Sequence, residues 1–130
     1  MTEDAAIRAS IEHWKEVRAT WTKRLLNYQP LTSIAYDLGF SADWCALCEF
    51  AASTWDRAGR RDHMCDYCPL AKAGHMCEDN DAGKSPWETV WDSAERWIED
   101  PTPENMAASL AAVDRMVEVL EALLNEETGK

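Results

Sequence analysis

Apolar residues recur at helical spacing in three parts of the chain, and this pattern predicts three helices. In residues 3–28 one stripe recurs every three or four positions: Ile7, Ile11, Trp14, Val17, Trp21, Leu25 and Tyr28. In residues 103–125 the spacing alternates between four and three, as in a heptad, through Met106, Leu110, Val113, Val117, Leu120 and Leu124. The stripe in residues 86–99 comprises Trp87, Val90, Trp91, Ala94, Trp97 and Ile98. No strand-like alternation stands out, so we predict a mostly α fold, a small antiparallel helical bundle.

Residues that favour helix starts precede these segments. Thr2 is a suitable cap for the first helix. Ser85, followed by a proline and then by Glu88, has the pattern of a capping box with proline at the first helical position. Thr102, also followed by a proline, repeats the signal before the last helix. The pattern therefore predicts where two of the helices begin to within a residue or so.

A fourth helix is predicted from Ser41 to about Thr54. It places Cys45 and Cys48 on one helical face, because positions i and i+3 are neighbours there. The stretch 56–84 that follows is rich in Gly, Asp, Arg, Lys and His and has few large apolar residues. Such a stretch buries too little surface to order itself, so we expect it to fold around a metal ion.

Five cysteines form the most specific chemical pattern in the chain. Two C-x-x-C pairs, Cys45 with Cys48 and Cys65 with Cys68, are separated by sixteen residues, and Cys77 follows. This spacing is typical of a structural zinc site with a closed tetrahedral thiolate shell. Zinc is therefore the predicted cofactor, held by four of the five cysteines. An iron–sulfur cluster or a redox-active pair are the alternatives for the same residues.

Two histidines flank the second cysteine pair and are alternative ligands. His63 and His75 are the weaker candidates, because a loop histidine is more often solvated, or hydrogen-bonded to a metal ligand, than a ligand itself.

At 130 residues the chain fits one domain, 1–130. In it a zinc-binding segment, 42–84, forms a zinc-stapled loop (a zinc knuckle) on the helical bundle.

The chain is strongly acidic, with 24 acidic and 13 basic side chains and a net charge of −11. Residues 85–130 alone hold eleven acidic and three basic side chains. Such a surface repels phosphate backbones, so direct nucleic-acid binding is not expected. The acidic half can instead imitate nucleic acid toward a basic partner, although solubility alone also explains it.

The chain is expected to be cytoplasmic, with no membrane association. No apolar run reaches the roughly 20 residues that span a bilayer, and the acidic N-terminus lacks the pattern of a signal peptide. Cysteines in that compartment are expected to stay reduced.

Seven tryptophans are many for this length. Core packing is the default role of those on the helical stripes, but Trp is also enriched where proteins bind partners. Trp87 and Trp91 are the candidates for such a contact.

A small basic cluster lies beside the predicted zinc loop and comprises Arg57, Arg60 and Arg61. It is either a solvated turn or a binding site for an anion.

Three parts of the sequence occur in an order that resembles a known family. They are the opening segment 6–14, the two C-x-x-C pairs with Pro69, Leu70 and a later Cys77, and Ser85-Pro86-Trp87. Together they resemble small five-cysteine proteins of tailed bacteriophages and prophages, over most of residues 6–98. This chain departs from them in its longer first helix, its long 48–65 loop and its extended acidic last helix. The family has no general assigned activity; the resemblance implies a phage accessory protein in the bacterial cytoplasm, with Cys77 in its site.

These observations predict a non-enzymatic protein that binds a host or phage protein and inhibits it, for example in a bacterial defence system. Cys77 and His75 are close enough in sequence to suggest a catalytic cysteine with a histidine base. The sequence offers no residue to orient that histidine, however, and no oxyanion hole. One alternative is a nucleotide-binding sponge that sequesters a small signalling molecule by tryptophan stacking and arginine contacts. Another is an enzyme with an open metal position. The terminal heptad suits either a monomer or a homodimer.

Overall fold

A computed structural model of the protein describes residues 2–26, 46–61, 63–75 and 85–128. These residues form α1 (Glu3–Leu26), α2 (Ala46–Arg57), a 3-10 turn η1 (Met64–Tyr67), α3 (Pro69–Lys72), α4 (Pro86–Glu99) and α5 (Pro103–Thr128). The described residues contain no β-strand, which confirms the mostly α fold. Several predictions made from the sequence lie outside them, namely Tyr28 on the first stripe, the helix start at Ser41, Cys45 and Cys77.

The helix boundaries differ from the predicted ones mainly at C-termini. α2 continues to Arg57, three residues beyond the predicted end. α5 continues to Thr128, although the sequence predicts an end near 125. None of the helices in the described part of the chain combines the length and the apolar character needed to cross a bilayer.

α5 is the central helix of the bundle, since it packs extensively against both α1 and α4. Its predicted heptad stripe is buried or half-buried throughout. A second stripe, which the sequence analysis does not identify, is also buried: Ser109, Ala112, Met116, Val119 and Leu123. A helix with two buried stripes has two neighbours, which here are α1 and α4.

The two long helices α1 and α5 run antiparallel, as predicted. Arg18 of α1 donates hydrogen bonds to both carboxylate oxygens of Asp114 in α5. Trp21, one turn further along α1, contacts Trp97 near the end of α4. Only residues 100–102 separate α4 from α5, so this end of α4 lies beside the start of α5. α1 therefore advances toward the start of α5.

Two tryptophans from different helices meet in the core of the bundle. Trp21 and Trp97 are both 0% exposed, and their rings meet edge to face at 5.5 Å between centroids. Neither indole Nε1 has a hydrogen-bond partner in the described part of the chain. Leaving a buried donor unpaired costs free energy, and burying two large aromatic surfaces offsets that cost.

The predicted helix caps are confirmed. Ser85 Oγ accepts a hydrogen bond from the Glu88 N–H at 3.1 Å, and Glu88 Oε1 accepts one from the Ser85 N–H at 3.2 Å. Thr102 Oγ1 accepts from the Asn105 N–H at 3.2 Å. Thr2 caps α1 in the same way, at 3.1 Å. Each cap satisfies a backbone donor that has no partner within its own helix.

Replacing Ser85 with alanine is expected to lower the free energy of unfolding by about 1 kcal/mol, because the Glu88 N–H loses its acceptor. Urea denaturation followed by circular dichroism measures the change. Ser85→Thr keeps the hydroxyl and is the matched control, expected to retain more of the stability. Equal losses in the two variants would mean that packing around this buried position, rather than the cap, determines the effect.

A short ordered region appears within the stretch for which the sequence predicts no element. Residues 63–75 form η1 and α3, and α3 contacts α5. Cys68 and Leu70 belong to the buried core, and Met64 and Tyr67 pack against it. Their apolar side chains are too few for a periodic signal but lie close enough in sequence to share one patch. Apolar packing therefore contributes to ordering a region that the sequence assigns to the metal alone.

Candidate functional site

The helix that contains Cys48 of the first cysteine motif lies against the turn of the second motif. α2 packs extensively against η1 and also contacts α1 and α3. Leu47 and Ala51 anchor α2 because each is almost fully buried. Cys48 follows Leu47 on this helix, and Cys65 and Cys68 lie in and just after η1. The fold thus brings the elements of the two motifs into one region.

The cysteines of this region differ in burial. Cys48 and Cys65 are half-buried, whereas Cys68 is 8% exposed and part of the core. All three carry thiols rather than disulfides. Among the described residues, no group of three His, Cys, Asp or Glu side chains is placed to hold a metal ion. Any four of the five cysteines include Cys45 or Cys77, both outside these residues, so zinc ligation stays a prediction.

His63 shapes the turn of the second motif. The Cys65 N–H donates to His63 Nδ1 at 3.2 Å, and the His63 N–H donates to Asp66 Oδ2 at 3.1 Å. The Cys68 N–H then donates to the Cys65 carbonyl at 3.0 Å. Because Nδ1 accepts this hydrogen bond, the neutral ring carries its hydrogen on Nε2, so neither ring nitrogen has a lone pair free for a metal ion. This arrangement favours a supporting role for the imidazole over a ligand role.

His75 stands at the end of α3. Its N–H donates to the Leu70 carbonyl at 2.7 Å, and the Gly74 N–H donates to the Ala71 carbonyl at 3.0 Å. Gly74 has a φ of +85°, which glycine adopts without strain. These bonds form the Schellman motif that commonly ends helices. The half-buried His75 therefore has a defined backbone role, and no described metal-ligand group includes its side chain.

The predicted arginine cluster is exposed around the end of α2: Arg57, Arg60 and Arg61. A second Schellman motif turns the chain here, with Gly59 at a φ of +78°. The Arg60 guanidinium lies over the Trp55 ring, 5.3 Å from its centroid, and pairs with Asp56 at 2.8 Å. Arg60 is therefore engaged within its own turn, which leaves less of the cluster for an external anion.

The two tryptophans proposed as contacts form a pair on α4. Trp87 and Trp91 stack with 5.4 Å between centroids and 25° between ring planes, and both remain partly exposed. Trp91 Nε1 donates to Glu95 Oε1 at 2.8 Å. Extensive helix contacts do not join α4 to α2, so the described packing does not unite these indoles with the arginine cluster. The nucleotide hypothesis gains no support from it.

Glu95 is a candidate residue that the sequence analysis does not identify. Its carboxylate extends the tryptophan pair by one further turn, since positions 87, 91 and 95 follow one another at spacings of four. The signal was present in the sequence as Trp91 followed by an acid four residues later. An exposed carboxylate within a helix is usually only solvated, so the sequence alone does not distinguish Glu95 from the other acidic residues of the helix.

The protein has no recognisable relative among the proteins compared with it. Comparison with protein-family models, with curated proteins and with solved structures finds no match. The resemblance to five-cysteine phage proteins thus stays a prediction.

Proposed function

We propose that this protein is a zinc-stabilised helical binding protein without enzymatic activity, and that it acts by engaging a host or phage protein. The packing of α2 against η1 supports this proposal most directly, because it brings the elements of both C-x-x-C motifs together. Four thiolates around zinc close the coordination shell, and a closed shell stabilises structure without offering a site to substrate.

Zinc in this position would connect the loop to the bundle. α2 packs on α1, a helix of the bundle, as well as on η1. A metal bound between α2 and η1 would therefore link η1 to the bundle through α2. The partly exposed aromatic pair on α4 then presents a surface on a helix that packs against α5. Tryptophan is enriched among the residues that contribute most of the binding energy near the centres of protein interfaces. The expected setting is a phage accessory protein in the bacterial cytoplasm.

Native mass spectrometry on protein produced with zinc available tests the metal. We expect a mass excess of one zinc ion, lost on chelation together with the compact charge states. Replacement by cobalt then reports the ligands, because thiolate ligation gives cobalt a characteristic visible absorption. A metal-free chain that is equally compact would contradict the proposal.

A further inference from the structure

Two side chains other than cysteines close the turn of the second cysteine motif. His63 precedes η1 with an extended backbone, φ −96° and ψ 139°, and Asp66 lies three residues later. His63 Nδ1 accepts from the Cys65 N–H at 3.2 Å, and Asp66 Oδ2 accepts from the His63 N–H at 3.1 Å. The two side chains thus form a reciprocal cap, which satisfies backbone donors that a helix start leaves unpaired.

The capped turn brings the two cysteines of the motif close together. The Cys68 N–H donates to the Cys65 carbonyl at 3.0 Å, and the Asp66 N–H donates to the His63 carbonyl at 2.9 Å. Each bond joins residues three apart, and such a tight turn holds its first and last Cα atoms less than about 7 Å apart. The backbone of Cys65 is therefore fixed on both sides, by the cap before it and by the bond to Cys68 after it.

The cap holds the turn from its solvent side, opposite to the bundle. His63 and Asp66 are both exposed, whereas Met64 and Tyr67 of the same turn pack against the core. Apolar contacts thus anchor the inner side of η1, and the reciprocal cap fixes its outer side. A substitution at position 63 or 66 therefore changes the cap without removing a buried side chain, which makes the contribution of the cap measurable.

We propose that His63 and Asp66 are positioning residues of the zinc site: neither binds the ion, and together they raise its affinity by ordering the turn of Cys65 and Cys68. This inference rests on the proposed zinc-stabilised fold and names residues that determine the strength of its metal site. Ordering a flexible turn costs conformational entropy. Where the cap orders the turn in advance, that cost is not subtracted from the free energy of zinc binding.

The test measures the zinc dissociation constant of the full chain by competition with a chromophoric chelator. His63→Ala removes the acceptor of the Cys65 N–H, and we expect the dissociation constant to rise roughly tenfold, as when other groups that support metal ligands are removed. His63→Asn is the matched variant. Asparagine is a favoured N-cap whose side-chain oxygen accepts the same hydrogen bond, but it is not among the usual zinc ligands. We expect His63→Asn to keep most of the natural affinity.

A second pair of variants tests the other half of the cap. Asp66→Ala should also weaken zinc binding, whereas Asp66→Asn keeps an oxygen that accepts from the His63 N–H and should bind zinc more tightly than Asp66→Ala. The visible absorption of the cobalt-substituted protein should keep the same thiolate bands in all four variants, because the ligands are unchanged. Circular dichroism on the same samples checks folding. If His63→Ala is unfolded, the comparison of the two Asp66 variants decides the proposal.

Ser85→Ala separates a local effect on the metal site from a general loss of stability. It disrupts a capping box of the same kind at the start of α4, and we expect it to leave the zinc dissociation constant unchanged. An equal rise in Ser85→Ala and His63→Ala would overturn the positioning role. So would natural affinity in His63→Ala, or an equal loss in His63→Asn, which would indicate that the imidazole itself binds zinc.

The natural protein distinguishes the failure of this inference from the failure of the proposed function. If the natural protein takes up no zinc, the zinc-stabilised fold is overturned, and the positioning role is overturned with it. If the natural protein binds zinc and both alanine variants bind it equally well, the proposed function remains and only the positioning role is overturned.

Discussion

Trp97→Ala is expected to lower the free energy of unfolding by about 4 kcal/mol, the loss typical of a large buried aromatic side chain. Trp97 is 0% exposed and makes an edge-to-face contact with Trp21, 5.5 Å between centroids. Its removal leaves a cavity between α1 and α4, next to the start of the central helix. Small domains have only about 5–15 kcal/mol of stability in total, so much of the protein would be unfolded at moderate urea concentrations.

Trp91→Ala is the matched control for this prediction. It removes the same side chain from the same helix, but Trp91 is only half-buried, and we expect a loss of roughly 1 kcal/mol. Urea denaturation followed by circular dichroism compares the two variants without relying on tryptophan fluorescence. Losses of similar size would show that α4 does not pack into the bundle through the face that contains Trp97.

Removal of zinc is expected to have the second large effect, since metal bound only to the folded chain adds to its stability. At a free zinc concentration about 1,000 times the dissociation constant, this contribution is about 4 kcal/mol. A chelator should therefore lower the melting temperature of the zinc-loaded protein. Cys65→Ser should remove most of this response, because Cys65 is a predicted ligand and only half-buried.

The choice of cysteine decides whether this experiment reports on the metal. Cys68 belongs to the core, so Cys68→Ser buries a hydroxyl and destabilises the chain even without zinc. Cys65→Ser should instead match the natural protein once both are zinc-free. Cys77→Ser then shows which four cysteines bind, since zinc is retained if Cys77 is the fifth. If the chelator left the melting temperature of the natural protein unchanged, this result would argue against a stabilising metal.

Local signals in the sequence predicted the helices well. Ser85 and Thr102 cap α4 and α5 as predicted, because a cap depends on a side chain and a backbone N–H only three residues apart. The stripe on α1 is buried from Ile7 through Trp21 for a similar reason. The period of a helix is fixed by its own backbone, so the spacing of apolar residues shows which face will be buried. These features are encoded within one or two turns of chain.

Several features of the site were decided by tertiary packing. Residues 63–75 carry no periodic signal, yet they form a turn and a short helix that pack on the bundle. Cys68 looks like a metal ligand by spacing alone, whereas its burial gives it a packing role as well. Arg60 looks available for an anion until its contacts with Trp55 and Asp56 are seen. Each outcome depends on neighbours that the spacing of residues does not specify.

The sequence by itself determined that this chain is helical, where most of its helices begin, and that its cysteines are spaced for a metal. Only the tertiary structure showed that α5 is central, with a second buried stripe that includes Ala112 and Met116, and that Trp97 is fully buried whereas Trp91 is half-buried. The physical reason is the distance along the chain over which each interaction acts. Caps and helical period are set by hydrogen bonds within a few residues, whereas burial depends on which distant helices meet.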